Sequence, residues 1–400
     1  MPIVDDRAYL DHAATTPMLP AAREAWLEQS AQLGNPSSLH TSGRQARRCV
    51  EEARESIAGL LHVRPSAVVF TSGGTEADNL AVKGLFWARR RDAGATRILA
   101  SAVEHHAVLD PLEWLASEQG AEIDWLAVDE VGRVSAKEVA RRLAAGPAAA
   151  LCTVMWANNE IGTVQPVAAI AEVCRAAGVP MHTDAVQALG HVPVDLSAVG
   201  VDAATITSHK IGGPYGVGAL IVDPRLALTP VLHGGGQERD VRSGTVDAAA
   251  VAGFAVAVEH AVSGQQARAE HLLALRTSLV QGIRAAVPDA VINGDLGSGP
   301  DERLPGNVHV SFPGCEGDLM LMLLDAAGID CSTGSACTSG VPEPSHVLIA
   351  MGVGNDLARS SLRFSLGESS SQDDVDRVIA ALPGAVDRAR RAGSLAVQAR

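Results

Sequence analysis

The sequence is poor in aromatic residues and in lysine, and it has no apolar run long enough to span a bilayer. Aromatic residues make up 3% of the chain and hydrophobic residues 47%, so we expect a core built mainly from Ala, Val, Leu and Ile. The formal net charge of −14 argues against direct binding to nucleic acid or to an anionic membrane. The first ten residues carry three charges and no apolar signal-like segment, so we expect a cytoplasmic protein.

The six cysteines contain no Cys-x-x-Cys pair and lie far apart. In a reducing compartment such cysteines are free thiols, so a framework of disulfides is not expected. Cys337 differs from the others because it lies in a loop of small residues, STGSACTSG, without large apolar neighbours. An exposed and mobile thiol of this kind is a candidate nucleophile.

Predicted strands and helices alternate from Val68 to about Thr183, which indicates a mainly parallel sheet covered by helices on both faces. In such sheets the ligand binds at the carboxyl ends of the strands. After Gly244 the pattern changes to a long helix rich in Ala and Val, followed by shorter elements. This change predicts a second, smaller α/β domain.

Lysine occurs at only three positions, and the rest of the 32 basic residues are arginine. Lys83 and Lys137 fall in predicted surface helices and are interpreted as solvated charges. Lys210 instead follows a predicted buried strand and precedes a Gly-Gly-Pro turn. Lysine can lose its proton and form an imine, whereas arginine cannot, so Lys210 is the candidate for covalent chemistry.

Several polar clusters follow the predicted strands of the first domain. The turn Ser72-Gly73-Gly74-Thr75 opens a helix and offers backbone N–H groups and a hydroxyl to a phosphate. This turn lacks the spacing of a Walker A or a dinucleotide motif, and a plain helix cap remains an alternative.

Two interpretations of the remaining clusters compete. In the first, His105, His106, His182 and Asp184 are ligands of a metal ion. In the second, a pyridine cofactor lies under the ring of His105 with Asp184 at its ring nitrogen. Only the second interpretation also uses the phosphate turn and Lys210. In the second domain, Arg363 lies within a short apolar strand and would suit a substrate carboxylate.

Together these motifs resemble the NifS/IscS-type cysteine desulfurases, pyridoxal-phosphate enzymes of fold type I in the class V aminotransferase group. The resemblance runs from about Tyr9 to Gly367 and is highly specific as a joint pattern. It rests on YLDHAATTP (9–17), GNPS (34–37), TSGGTEADN (71–79), NNEIG (158–162), SHKIGGP (208–214), HGGGQERDVRSGT (233–245) and SACTS (335–339).

The resemblance implies a site residue by residue. Lys210 would carry pyridoxal 5'-phosphate, and Cys337 would take the sulfur. The remaining implied positions are His105 stacking on the ring, Asp184 at the ring nitrogen, Asn159 and Gln187 at the ring oxygen, Gly74, Thr75, Thr207 and His209 at the phosphate, Thr245 at the phosphate of a partner subunit, and Asn35 and Arg363 at the substrate. Thr207 departs from the serine usual in the family but keeps the hydroxyl.

The resemblance also implies fold type I, with a large domain over residues 16–262 around a mainly parallel seven-stranded sheet. Residues 1–15 and 263–400 would form the small domain. The implied activity is removal of sulfur from L-cysteine to give L-alanine and a persulfide on Cys337, passed to acceptors for Fe–S cluster assembly or tRNA thiolation. A homodimer is implied, with no resident metal, although Cys337 would transiently ligate an Fe–S cluster on a scaffold partner.

Three alternatives stay open from the sequence. A selenocysteine lyase or an aminotransferase could use the same fold, and the mobile Cys337 argues against the second of these. A metal-dependent hydrolase built on the histidines is the third.

Overall fold

The computed structural model describes residues 7–297, 299–333 and 344–398. The strands are β1 (Ala8–Tyr9), β2 (Val68–Thr71), β3 (Arg97–Ser101), β4 (Glu122–Leu126), β5 (Ala149–Thr153), β6 (Met181–Asp184), β7 (Ala203–Thr207), β8 (Gly218–Val222), β9 (Val291–Asn293), β10 (Asn307–Ser311), β11 (Ile329–Asp330) and β12 (Ser361–Ser365). The helices are α1 (Pro20–Ser30), α2 (Thr41–Leu60), α3 (Gly74–Ala93), α4 (His106–Gln119), α5 (Ala136–Ala145), α6 (Val167–Ala176), α7 (Leu196–Val199), α8 (Ala248–Ser263), α9 (Gln265–Ala286), α10 (Gly317–Asp325), α11 (His346–Ala350), α12 (Asn355–Arg359) and α13 (Gln372–Gln398).

The central sheet has seven strands in the order β2-β8-β7-β6-β5-β3-β4. The strands from β7 to β4 pair in parallel, whereas β8 is antiparallel to both β7 and β2. The predicted mainly parallel sheet is therefore confirmed. Its inner strands are buried throughout, as expected for strands with helices on both faces.

The loop that returns the chain from β7 to the antiparallel β8 carries Lys210 at the carboxyl end of β7. Gly212 and Gly216 in this return have φ values of +81° and +73°, which L-residues with a side chain rarely adopt. The return therefore needs glycine where the SHKIGGP motif and its continuation supply it. The consequence is that Lys210 lies directly beside the carboxyl end of β7.

A smaller sheet, in the order β12-β10-β9, is antiparallel and packs with α9, α10 and α13 around its own apolar cluster. The short strand β1 pairs with β11, so the N-terminal segment joins this smaller unit. The predicted division at residue 262 falls at the end of α8 and stays a prediction.

Within residues 7–297, 299–333 and 344–398, no helix combines sufficient length with sufficient apolar character to cross a membrane.

Candidate active site

A cavity of about 410 Å³ lies at the carboxyl ends of the parallel strands and at the start of α3. It brings together side chains that follow four different strands, as the parallel sheet predicts. The predicted residues that line it are Gly74, Thr75, His105, Asn159, Asp184, Gln187, Thr207, His209, Lys210 and Arg363.

Lys210 is held against the N-terminal segment on one side of this cavity. Its Nζ donates hydrogen bonds to the carbonyl oxygens of Ala13 and Ala14, at 2.5 and 2.6 Å. Burial, followed by the charge of Arg363, lowers the pKa of Lys210 to about 8. A neutral, nucleophilic amine is therefore accessible close to physiological pH.

The other two lysines differ from Lys210 and from each other. The sequence predicts a solvated charge at Lys83, but its Nζ lies 4.6 Å from the centre of the Trp114 ring, and burial lowers its pKa. This cation–π contact lies between α3 and α4, outside the residues that line the cavity. Lys137 is exposed on α5, as predicted for a solvated charge.

Asp184 ends β6 and is enclosed beneath the cavity. One of its carboxyl oxygens accepts a hydrogen bond of 2.8 Å from the Val186 amide. Burial raises the pKa of Asp184 to about 6, and both this hydrogen bond and the charge of Lys210 oppose the rise. Asp184 is therefore mainly an anion at neutral pH. Nearby, Gln187 Nε2 donates to the Ala13 carbonyl at 2.9 Å.

The start of α3 forms a concave turn with an unused hydroxyl beside it. A Cβ on Gly74 would lie 3.2 Å from a methyl group of Val186, so the turn leaves little room for a side chain. The buried Thr207 Oγ1 has no hydrogen-bond partner among the residues that the structure describes. An orphaned hydroxyl beside free helix N–H groups is suited to an anion.

His105 and His209 both line this cavity as neutral rings. His105 caps α4, and its Nδ1 accepts a hydrogen bond of 3.1 Å from the Ala107 amide. The ring is reachable by solvent from the cavity, yet burial and the charge of Lys210 lower its pKa to about 4. The same two causes lower the pKa of His209 to about 4. Since Nδ1 of His105 accepts, its ring proton lies on Nε2.

Arg363 reaches the cavity from β12 of the smaller sheet. Its guanidinium donates to Asp11 Oδ1 at 2.8 Å and to the Asn159 carbonyl at 3.1 Å, and the residue is 6% exposed. Its Nε has no partner within the described ranges. Arg363 therefore presents a fixed cation with an unused donor beside a cavity large enough for an amino acid.

Two predicted site residues that the structure describes do not line this cavity. Asn35 and Thr245 are exposed and do not line it. Cys337 lies outside the described residues, but Ser332 and Thr333, shortly before it in sequence, do line the cavity.

Asp78 also lines the cavity, although the sequence analysis does not single it out as a site residue. The signal available was its position on the apolar face of α3, at helical spacing from Ala81 and Leu85. An acidic residue on such a face needs a polar environment, and here the cavity provides it.

The predicted metal ligands do not form a metal site, although His105, His106 and Asp184 line the same cavity. His182 is fully buried, with Nδ1 2.9 Å from Thr153 Oγ1 and Nε2 3.1 Å from Thr205 Oγ1. His106 lines the cavity, and its Nδ1 lies 2.9 Å from Asp110 Oδ1. In the part of the chain that the structure describes, no group of three or more His, Cys, Asp or Glu side chains could hold a metal ion. The geometry thus favours the cofactor interpretation.

Known proteins similar to this chain cover it almost completely. Residues 8–378 match the model of the aminotransferase class-V family. The chain is 54% identical over 393 residues to an IscS-like cysteine desulfurase of Mycobacterium tuberculosis (strain ATCC 25618 / H37Rv), covering 98% of this chain and 99% of that protein. The solved structure of a NifS-like protein superposes with a TM-score of 0.86 at 33% identity, covering 96% and 100% of the two chains. SspA in complex with cysteine has a TM-score of 0.77 at 33% identity, covering 92% and 100%. The chain therefore belongs to the class-V aminotransferase family, and within it to the IscS/NifS-type cysteine desulfurases, which are pyridoxal-phosphate enzymes of fold type I.

Proposed function

We propose that this protein removes sulfur from L-cysteine, releases L-alanine and holds the sulfur as a persulfide on Cys337. The observation that carries the proposal is the placement of the Lys210 amine in one cavity with the buried acid Asp184 and the fixed cation Arg363. This set provides a nucleophilic amine, an acid for a pyridine nitrogen and a partner for a carboxylate.

The residues present fit pyridoxal 5'-phosphate. The unpartnered Thr207 hydroxyl and the free N–H groups at the start of α3 suit its phosphate, and the ionised Asp184 suits a protonated ring nitrogen. The residues that would hold it are Lys210, His105, Asn159, Asp184, Gln187, Gly74, Thr75, Thr207 and His209.

When bound, the cofactor supplies an electron sink for the bonds of the substrate carbon that bears the amine. The protein supplies the proton transfers and the sulfur acceptor. The Lys210 amine, with a pKa near 8, can both take up and return a proton at physiological pH, and neutral His105 lies on the same cavity.

Arg363 would orient the substrate through its carboxylate. The Cys337 thiolate would attack the substrate sulfur, so that the S–S bond forms as the Cβ–S bond of the substrate breaks, and the carbon would then take up a proton to leave as alanine. Division of the transfer into formation of a persulfide and its later discharge replaces one hard step by two easier ones.

We further propose a homodimer in which Asn35 and Thr245 serve the site of the neighbouring subunit. Leu33 and Leu39, on either side of Asn35, are 89% and 84% exposed, and Tyr215 beside His209 is 67% exposed. Large apolar side chains concentrated around predicted site residues support a face that another copy covers. Sedimentation of an active monomer would contradict this proposal.

The sulfur acceptors that we propose are proteins of Fe–S cluster assembly and of tRNA thiolation, reached through the loop of Cys337. We propose a cytoplasmic location because the persulfide chemistry needs a reduced thiol. The support is the sequence resemblance and the free state of the five described cysteines.

Substitution of the proposed nucleophile tests the function. Cys337→Ser should remain folded, bind pyridoxal phosphate and still change its visible absorbance on addition of L-cysteine, because those steps need the cavity alone. It should release no alanine above background. The matched control is Cys49→Ser on α2. It removes a half-buried thiol that does not line the cavity, so alanine release should stay normal.

Full alanine release by Cys337→Ser would contradict the proposal. Release of the 2-oxo acid that retains the thiol of cysteine would instead favour the aminotransferase alternative. Selenocysteine cleavage that survives in Cys337→Ser, with loss of activity toward cysteine, would favour selenocysteine lyase activity.

A further inference from the structure

Asp78 is a buried acid on the wall of the cofactor cavity that the proposed chemistry does not use. It lies in the second turn of α3 on the face that packs against the sheet, and it is 1% exposed. Its Oδ1 has no hydrogen-bond partner within the described residues. An unpartnered and enclosed carboxyl oxygen at a ligand cavity needs a physical explanation.

No cation balances Asp78 among the described neighbours. The nearest basic group is His182 on β6, with Nε2 3.5 Å from Asp78 Oδ1. Both nitrogens of His182 lie within hydrogen-bond distance of threonine hydroxyls, from Thr153 and Thr205. Burial lowers the pKa of His182 to about 3, so its ring is neutral.

The other charged groups around Asp78 are acids. Asp184 on β6 acts on it electrostatically, and so does Glu104 after β3, whose own pKa burial raises to about 8. Lys210, on the same cavity, acts on Asp184. Lys210 therefore stabilises the anion at Asp184. Asp78 has a hydrogen bond with the Thr205 hydroxyl, which favours its ionised form, but no comparable cation among the described residues.

Two enclosed carboxylates on one cavity are costly when only one has a cation. Burial of an unpaired charge is unfavourable, and a second like charge nearby makes it more so. Burial, followed by the charge of Asp184, accordingly raises the pKa of Asp78 well above its ordinary value. A single proton held mainly by one of the two acids removes this cost. Because Lys210 stabilises the anion at Asp184, we expect the proton on Asp78.

We propose that Asp78 is a neutral carboxylic acid at neutral pH and a positioning residue that keeps the negative charge of this pair on Asp184. This proposal rests on the proposed cofactor site, since the purpose of an anionic Asp184 is to pair with the cofactor's ring nitrogen. Asp78 acts through Asp184, and its free oxygen adds a neutral polar group to the cavity wall.

Infrared spectroscopy tests the protonation state without any turnover. Aspartate-specific isotope labelling of the wild-type holoenzyme should identify a carbonyl stretch of a protonated aspartic acid at neutral pH. This band should disappear in Asp78→Asn and persist in Glu104→Gln. Loss of a carboxylate band in Asp78→Asn, with the protonated band unchanged, would overturn the proposal.

A spectroscopic pH titration tests the role. Asparagine keeps the shape and neutrality of the proposed acid, so Asp78→Asn should bind pyridoxal phosphate with nearly the wild-type pH midpoint of cofactor absorbance. An ionised Asp78 makes the opposite prediction, because loss of a nearby anion would lower the midpoint by about 1–3 units. Asp184→Asn is the positive control and should lower it by such an amount.

Two results separate this inference from the proposed function. A wild-type chain that takes up no pyridoxal phosphate would contradict the proposed function itself. A wild-type chain that takes it up, together with a full shift of the midpoint in Asp78→Asn, would contradict the inference alone. If Asp78→Asn does not fold, the labelled wild-type protein decides: absence of any protonated-aspartate band at neutral pH overturns the proposal.

Discussion

Replacement of Arg363 by lysine isolates the contribution of its guanidinium geometry to substrate binding. Arg363 is 6% exposed, and Asp11 and the Asn159 carbonyl hold two of its nitrogens at 2.8 and 3.1 Å. Lysine keeps the positive charge, but its compact ammonium cannot hold these two partners and a substrate carboxylate in the same planar arrangement. We therefore expect cysteine binding to weaken while the cofactor stays bound.

The expected magnitude follows from the bond that is lost. One hydrogen bond to a charged group contributes about 1.5–3 kcal/mol. At about 1.4 kcal/mol per factor of ten, this corresponds to a roughly 10- to 140-fold increase in the Kd for L-cysteine. The Kd is measured by titration of the visible absorbance in a Cys337→Ser background, so that no turnover occurs.

The matched control is Arg276→Lys, another buried arginine, whose guanidinium binds the carbonyls of Leu304 and Gly297 away from the cavity. This substitution should leave the Kd for cysteine unchanged, even if it lowers stability. Cysteine binding by Arg363→Lys within about twofold of its parent, or equal weakening in both variants, would refute the reasoning.

Three further predictions concern two residues of the cofactor site and the buried ion pair between Arg54 and Glu238. Because the pKa of Lys210 is lowered to about 8, the rate at which its amine reacts with pyridoxal phosphate should rise with pH up to about 8 and then level off. Stopped-flow absorbance measures this rate. A rate that keeps rising toward the ordinary lysine pKa of about 10.4 would contradict the prediction. Thr207→Val should weaken pyridoxal-phosphate binding by roughly tenfold or more, because a charge-assisted hydrogen bond to the phosphate is lost. Thr207→Ser keeps the hydroxyl and should bind normally in the same equilibrium titration. Equal affinities of the two variants would exclude a contact between this hydroxyl and the phosphate. Glu238→Ala removes the carboxylate that lies 2.7 Å from the buried Arg54, and it should lower the free energy of unfolding by about 3–5 kcal/mol in denaturant titrations. Glu51→Ala removes an exposed partner of the same arginine and should lower it by under about 1 kcal/mol. Similar losses in the two variants would contradict the effect of burial.

The centre of the site could be predicted because a parallel sheet brings the ends of its strands together. Asp184, Thr207 and Lys210 each end or directly follow a strand, and His105 follows the end of β3. Sequence patterns that locate strand ends therefore also locate these side chains near one another. The scarcity of lysine then singled out Lys210, since arginine cannot form an imine.

Residues whose role depends on side-chain direction could not be predicted in this way. Asp78 is one position in a helix that starts at the phosphate turn, and only its packing against the sheet shows that it lines the cavity. Lys83 likewise needed the three-dimensional position of Trp114 to reveal a cation–π contact. Asn35 and Thr245 do not line the cavity, and their predicted contacts with substrate and phosphate stay predictions, which the proposed homodimer would explain.

The most direct test of the central claim is to identify the lysine that carries pyridoxal phosphate. Reduction of the holoenzyme with borohydride, followed by proteolysis and mass spectrometry, fixes the cofactor on the residue that binds it. The geometry predicts the pyridoxyl group on Lys210, whose amine lies on the cavity with a lowered pKa. Its recovery on Lys83 or Lys137, with Lys210 unmodified, would contradict the account.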